Sequence, residues 1–508
     1  MRSALRRPTL ACVATLAVAT GTATATATAT AQTNDPNHPT WWNKYQQLSS
    51  RASASSAELL GLLSAGANAD SSDECGPQSE TFITLNPIQA TTLTAGSNEI
   101  FRLPMRGYFS SDNGSTWGGV DLPLPPAIGA NGTRFGSDPT LAYDTIGNVF
   151  YSYIVVFFSN GRGRGAINGT EMATARSSDG GATYPNVTFF SFSGGQDHFN
   201  DKPMITADTN LDSTFRDNVY VAWDAASGGS GGGGIRVATS TNHGASFSVR
   251  RVDNPTGPGR AIGAVPFVGP QGELYVAWND YSASTIAFNG SFDGGNTWGT
   301  PHVISRQSLG FQALPPAQSF RGALLYPTCS ADRSAGPHRG RIYCAWMDGS
   351  GQGTTDIVSS FSDDRGASWS ASASVTDRLP FAVDRFFPWL SADPVTGDVN
   401  VAFYDTRNDT TGFRYMTDVY LSQSQNGGVS WRAPNTRVSS VSSNEHDCAG
   451  LFPCNAIDYG NQYGDYLGLV SQDGVSHPVW TDSRDNQTAA PGCRTNLLME
   501  EVFTATVK

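Results

Sequence analysis

Five short stretches set chemically capable side chains at the head of an alternating apolar run: Asp138-Pro139, Asp201-Lys202-Pro203, Tyr326-Pro327, Phe387-Pro388 and Asp465-Tyr466. The partner runs close on Asp224, Asp280, Asp348, Asp405 and Asp482, and the last two continue into Asp405-Thr406-Arg407 and Asp482-Ser483-Arg484. Carboxyl groups move protons when burial or a neighbouring charge shifts their titration. Guanidinium forks grip carboxylates through paired hydrogen bonds, so Arg385, Arg407 and Arg484, gathered on one side of a ring, would suit an anionic ligand. Lys202 and Tyr466 add a cation and a phenol hydroxyl. Two plainer readings stand beside this one: aspartates at strand ends cap the following turn, and each arginine pairs with its local aspartate. No cofactor is expected; strand-end carboxylates can also hold a structural calcium ion, although no EF-hand loop or histidine cluster marks a tighter metal site.

These positions are spaced by a repeat. Two strands joined by a polar turn recur at 82–98, 138–153, 201–224, 263–280, 326–348, 387–405 and 465–482, with typical second strands Val219-Tyr220-Val221-Ala222-Trp223 and Leu274-Tyr275-Val276-Ala277-Trp278. Their starts fall roughly 60 residues apart, long for a four-stranded unit, which leaves room for functional loops.

A second repeat runs between these units. Ser110-Ser111-Asp112-Asn113-Gly114-Ser115-Thr116-Trp117 shares its frame with 177–184 around Asp179 and 291–298 around Asp293. Looser copies carry Asp364 at 362–369, Asn242 at 240–247 and Asn426 at 424–431. An early Asp or Asn accepts backbone N–H bonds, glycine takes positive φ, and the hydroxyl ties the turn back on itself. The pattern resembles the Asp box of the sialidase-like, or BNR-repeat, β-propellers. That resemblance implies an all-β propeller with a box between the third and fourth strands of a blade, on the outer rim away from the chemistry. Seven strand pairs predict seven blades; six, as in the well-known sialidases, is the alternative. The last blade would take a third strand from 497–507 and a fourth from just before Phe82, closing the ring with both termini.

The resemblance also implies a chemistry. Sialidases hold the substrate carboxylate with an arginine triad, attack with a tyrosine assisted by a glutamate, and protonate with an aspartic acid. Carried over by position, Tyr466 becomes the nucleophile, Asp138 or Asp201 the acid, and Arg385, Arg407, Arg484 and Lys202 the substrate-binding cations. One motif departs from the family: Phe101-Arg102-Leu103-Pro104 lies just before the first box, where it would lead into a third strand, so Arg102 is not expected to be a triad arginine. The expected function is a secreted, sialidase-like (exo-sialidase-like) glycoside hydrolase acting on an anionic or decorated glycan. A propeller polysaccharide lyase using Lys202, Tyr466 or His198 as base, and a non-catalytic glycan- or protein-binding propeller, remain as alternatives.

Export and charge agree with an extracellular carbohydrate partner. Arg2, Arg6 and Arg7, an apolar run and Ala29-Thr30-Ala31 read as a signal peptide over 1–31, with 32–79 an N-terminal extension and 80–508 the propeller. No later stretch is apolar and long enough to span a bilayer, and a monomer is expected. A net charge of -12 argues against nucleic acid. Six cysteines remain after the signal and, in an exported chain, read as three disulfides: Cys329 with Cys344, Cys448 with Cys454, and Cys75 with Cys493 across the seam.

Overall fold

The structure, a computed structural model, describes residues 68–72, 76–159, 166–195, 198–227, 234–253, 261–351, 353–446, 462–484 and 500–508. The signal peptide, most of the extension, and Cys75, Cys448, Cys454 and Cys493 lie outside the described residues. Alternating apolar residues form antiparallel strands that hydrogen-bond in chain order into blades. Blade 1 comprises Gln78–Leu85, Leu93–Glu99, Arg106–Ser110 and Gly118–Asp121; blades 2 to 6 begin with Thr133–Tyr143, His198–Ala207, Ala261–Val268, Thr328–Ala331 and Arg385–Ala392. Blade 7 orders Gly468–Gln472, Val475–Asp482 and Glu501–Ala505, with Asn68–Asp70 as its outer strand. The chain is therefore a seven-bladed β-propeller, and the six-bladed alternative is excluded.

Each first strand packs on the next around the ring, and Gly468–Gln472 packs on Gln78–Leu85 to close it. Closure draws on residues before 80: Asn68 pairs with Ala505 and Asp70 with Phe503. The boundary expected at 80 thus falls inside the propeller, because the last blade lacks a fourth strand until the N-terminal segment supplies one. Apolar seams between blades carry the core, with Trp223, Trp346 and Trp480 fully buried at equivalent points of the second strands. Cys329 and Cys344 face each other across blade 5 and form a disulfide.

The six recurrent turns join third to fourth strands. In the first, Ser110 Oγ donates to Asp112 Oδ1 (2.8 Å), Gly114 N–H donates to Ser110 Oγ (2.9 Å), and Thr116 gives its N–H to Oδ1 (2.9 Å) and its hydroxyl to Oδ2 (2.6 Å). Asp179, Asp293 and Asp364 repeat the arrangement. Asparagine keeps it by reversing one bond: Asn242 Nδ2 donates to Ser246 Oγ (2.9 Å) and Asn426 Nδ2 to Ser430 Oγ (2.8 Å). Trp117 then folds inward and donates from Nε1 to Gly114 O (3.1 Å).

The Ser368 hydroxyl and then its N–H hold the Asp364 carboxyl down to about 2. A depressed carboxyl stabilises the fold above its unfolded pKa of ~3.9 and loses that contribution as pH falls through its folded value. Asp364→Ala should cost about 1–2 kcal/mol at pH 7. The gap to wild type should narrow between about pH 4 and pH 2. Urea unfolding at several pH values checks this, and a deficit independent of pH would show that the carboxylate charge is not what holds the turn.

Candidate functional site

The channel mouth is built by a recurring irregularity. Registers slip between Ser79 and Phe82, Ser137 and Thr140, Asp201 and Met204, Ile262 and Val265, and Phe386 and Trp389, so five first strands bulge at the same level. The first residue of each bulge has positive φ: Glu80 at 56°, Asp138 at 59°, Lys202 at 48°, Gly263 at 70° and Phe387 at 49°. Bulges re-aim side chains, and left-handed non-glycine residues cost about 1–3 kcal/mol each unless their surroundings hold them. Here the distortion turns Glu80, Asp138 and Lys202 towards a common centre. Gly263 serves the same centre by being small, since a Cβ there would lie 2.1 Å from Tyr326 Cδ1.

Lys202 is the hub. Its side chain is only 4% exposed, and its ammonium sits 3.8 Å from the centroid of the Tyr466 ring and 4.1 Å from that of Tyr326. Nζ has no hydrogen-bond partner among the described residues. Burial pulls the Lys202 pKa down, opposed by Asp465, Glu80, Asp138 and Asp201. Two aromatic faces therefore replace the water an ammonium would otherwise keep. With Phe387, Trp389 and Asp465 these groups line a cavity of about 10 Å³, room for a single water.

Around Lys202 lies a linked acidic array. Asn98 Nδ2 donates to Glu80 Oε2 (2.8 Å), the Asp138 N–H donates to Asn98 Oδ1 (2.8 Å), and the Lys202 N–H donates to Asp138 Oδ2 (3.1 Å). Asp201 lies close enough to Asp138 for the Asp138 charge to act on its carboxyl. Burial, then Asp138 and Asp224, push Asp201 well up; burial and then Asp138 and Asp465 do the same to Glu80. Arg321 balances part of this charge. It is 1% exposed and grips Asp465 with Nε to Oδ1 at 3.0 Å and Nη2 to Oδ2 at 2.8 Å. Burial opposes the Arg321 charge, but Asp465 outweighs it and keeps the pKa raised.

Four of the expected site residues, Tyr466, Asp138, Asp201 and Lys202, are thus brought together. The Tyr466 hydroxyl donates to Pro139 O (3.2 Å), and burial followed by the Glu80 and Asp138 charges pushes its ionisation well up. The expected arginine triad does not assemble. Arg385 Nε donates to Asp405 Oδ2 (2.9 Å) and Nη1 to Asp356 Oδ1 (3.1 Å), while Arg407 bridges Asp377 and Asp405 at 2.7 Å each. Arg484 pairs with Asp482 and lies 4.1 Å from the centroid of the Phe503 ring. The physical reason is Asp405 and Asp482, which are almost fully buried and need the cations themselves. Arg102 is equally occupied, by Asp121 on the outer strand of blade 1.

Two mouth residues escaped sequence reasoning. Glu80 occupies the place Asp138 holds in the next blade, and aligning 78–82 with 136–140 would have found it. Arg321 comes from an insertion before blade 5 that belongs to no repeat. Only the fold carries it inward, through Gln462 Oε1, which accepts from the Phe320 and Arg321 N–H groups at 3.1 Å each. Among the described residues no three His, Cys, Asp or Glu side chains gather as metal ligands would, and no helix is long and apolar enough to cross a membrane.

No protein-family model matches the chain, nor does any curated protein. Solved structures with a similar chain path include the leech intramolecular trans-sialidase (13% identity, 69% of this chain and 68% of that one, TM-score 0.45). Others are the intramolecular trans-sialidase from Ruminococcus gnavus (12%, 85% and 94%, TM-score 0.41) and a protein of unknown function from Dyadobacter fermentans (10%, 75% and 99%, TM-score 0.44). Likeness at this level assigns no role to any residue; the blade count rests on the sheets described above.

Proposed function

We propose that the protein is a secreted, sialidase-like glycoside hydrolase that acts on an anionic or decorated glycan at the channel mouth. The observation that carries this reading is the meeting of Tyr466, Glu80, Asp138 and Asp201 around one buried cation, from separate blades. Asp138 acts on the charge of Asp201, so the two do not divide into the separated acid and nucleophile of carboxylate glycosidases. They act instead as one proton-holding unit, and Tyr466 is the group that attacks. In the first step the Tyr466 oxygen bonds to the anomeric carbon, its proton passes to Glu80, and Asp201 protonates the leaving oxygen as the glycosidic bond breaks. Water then attacks the anomeric carbon and gives one proton to Asp201, while the departing Tyr466 oxygen takes its own proton back from Glu80. Lys202, rather than the engaged Arg385, Arg407 and Arg484, meets the acidic group of the sugar.

A non-catalytic binding propeller is the second reading, supported by a cavity with room for only one water. Hydrolysis requires that the mouth widen to admit a sugar ring, a motion of the kind that gates many enzymes. Screening the secreted protein against sialosides, uronic-acid polysaccharides and neutral glycans, with product masses recorded, separates the readings. A hydrolase adds the mass of water, and a lyase leaves an unsaturated sugar. Binding without any product would replace the enzyme reading.

A further inference from the structure

Outside the mouth, the loop between the second and third strands of blade 6 holds an exposed aromatic in an unusually fixed place. Asp409 collects the loop around its carboxylate: Oδ2 accepts the N–H groups of Gly412 (2.9 Å) and Arg414 (3.0 Å), and Oδ1 accepts the Thr411 hydroxyl (2.7 Å) and the N–H groups of Tyr415 (3.2 Å) and Met416 (3.1 Å). Arg414 takes a φ of 61° and donates from Nε to Asp384 Oδ2 at 2.6 Å, which pins the loop to its neighbour. The product of this bonding is Phe413, 64% exposed. Phe413 buries little on folding, and the loop holds its ring in place before any ligand arrives.

Phe413 begins a row. Its ring stacks on Tyr415 (centroids 5.4 Å, 26°), Tyr415 stacks on His446 (3.9 Å, 17°), and His446 meets Phe320 (5.9 Å). His446 Nε2 lies 2.7 Å from Pro316 O, and as the N–H donor it fixes its ring. Phe320 is followed by Arg321, whose partner Asp465 lines the mouth. The row therefore leads from solvent to the candidate site on the face where first strands begin and second strands end, as the pairing of Arg385 with Asp405 shows for this blade.

We infer that the outward face of the Phe413 ring, held in place by Tyr415 and His446 stacked behind it, forms a subsite for a sugar ring further along the chain from the one processed at the mouth, so that the substrate is an oligosaccharide or polymer rather than a monosaccharide glycoside. The inference rests on the proposed glycan chemistry and adds to it. Pyranose rings present a face of C–H groups with partial positive charge, which complements the negative face of an aromatic ring. A preformed row receives such a chain without an ordering cost at the moment of binding.

The test compares wild type with Phe413→Ala and Phe413→Trp, using calorimetry with a sialylated trisaccharide, a uronic-acid tetrasaccharide and a neutral tetrasaccharide. Turnover of each is compared with that of the matching nitrophenyl monosaccharide glycoside. Phe413→Ala should weaken binding of the preferred oligosaccharide about 5–10-fold and lower its kcat/KM by a similar factor relative to that of the monosaccharide. Phe413→Trp should restore both. An alanine variant that binds and turns over the oligosaccharide as wild type does, while the monosaccharide is still cleaved, overturns the subsite and leaves the hydrolase standing. Wild type that binds oligosaccharides through Phe413 but cleaves nothing supports the subsite and removes the hydrolase. Wild type that binds no glycan removes both. A dimer in sedimentation that Phe413→Ala abolishes, without any effect on glycans, gives the row to a second copy of the chain and overturns the inference.

Discussion

Tyr466→Phe should lower kcat on the preferred acidic glycan by a factor on the order of 10³ or more, because in the proposed mechanism it removes the oxygen that forms the covalent link while leaving the ring in position. The ring matters independently: it lies 3.8 Å from the Lys202 ammonium and packs against Trp389 at 6.2 Å. Phenylalanine preserves both contacts and forfeits one hydrogen bond, from the hydroxyl to Pro139 O, worth about 1 kcal/mol. Folding should therefore be nearly unchanged, and KM should move little, since the contact proposed between Lys202 and the acidic group is kept. Steady-state kinetics and urea unfolding on the same preparation check this. If the variant hydrolyses the substrate at the wild-type rate, Tyr466 is a wall of the Lys202 pocket and nothing more.

The second large effect is on stability. Arg321→Met should destabilise the propeller by about 3–5 kcal/mol, the usual result of stranding one member of a buried ion pair. Arg321 and Asp465 are both buried, and the insertion that carries Arg321 also clasps the segment before blade 7, where Gln318 Nε2 donates to Gly464 O at 3.0 Å. Methionine fills much of the volume but leaves Asp465 without its fork. A stranded buried carboxyl has a folded pKa above its unfolded value, so its stabilising contribution is complete only below the unfolded pKa and is lost as pH rises through the folded one. The deficit should accordingly be largest at pH 7 and shrink towards about pH 4. Adding Asp465→Asn should recover a good part of it at neutral pH. Equal stability of wild type and Arg321→Met at pH 7 would show that the pair is not what ties the insertion to the segment before blade 7.

The same sign applies to the acids already raised in the native protein. Glu80, Asp201 and Asp224 are all pushed up, with burial the leading cause. Each is easier to bury protonated, so the mouth is assembled more comfortably in mild acid than in alkali. This runs against the exposed turns, where Asp112 is lowered first by the Thr116 hydroxyl and Asp364 by that of Ser368. Two acidic populations on opposite ends of the same blades thus pull the pH dependence of stability in opposite directions.

The amino-acid sequence by itself determined the repeat, and with it the blades. A turn such as 110–117 is closed by its own Ser, Asp, Gly and Thr, so its conformation is written within eight residues, and a wholly apolar run such as 219–223 reads as an inner strand buried on both faces, which it is. Counting strand pairs rather than turns led to seven, because the last blade has paired strands and no box. Positions at strand ends were legible for the same reason, which is why Asp138, Asp201, Lys202 and Tyr466 could be placed at one mouth. What only the tertiary structure decided was which charges were already spent. Arg385 and Arg407 find Asp356 and Asp377 on segments outside their own strands, and Arg321 arrives from an insertion with no counterpart in other blades. Ion pairs form between whichever groups the packing brings within reach, and burial sets how strongly each carboxylate must be matched; neither quantity has a period that a repeat could reveal.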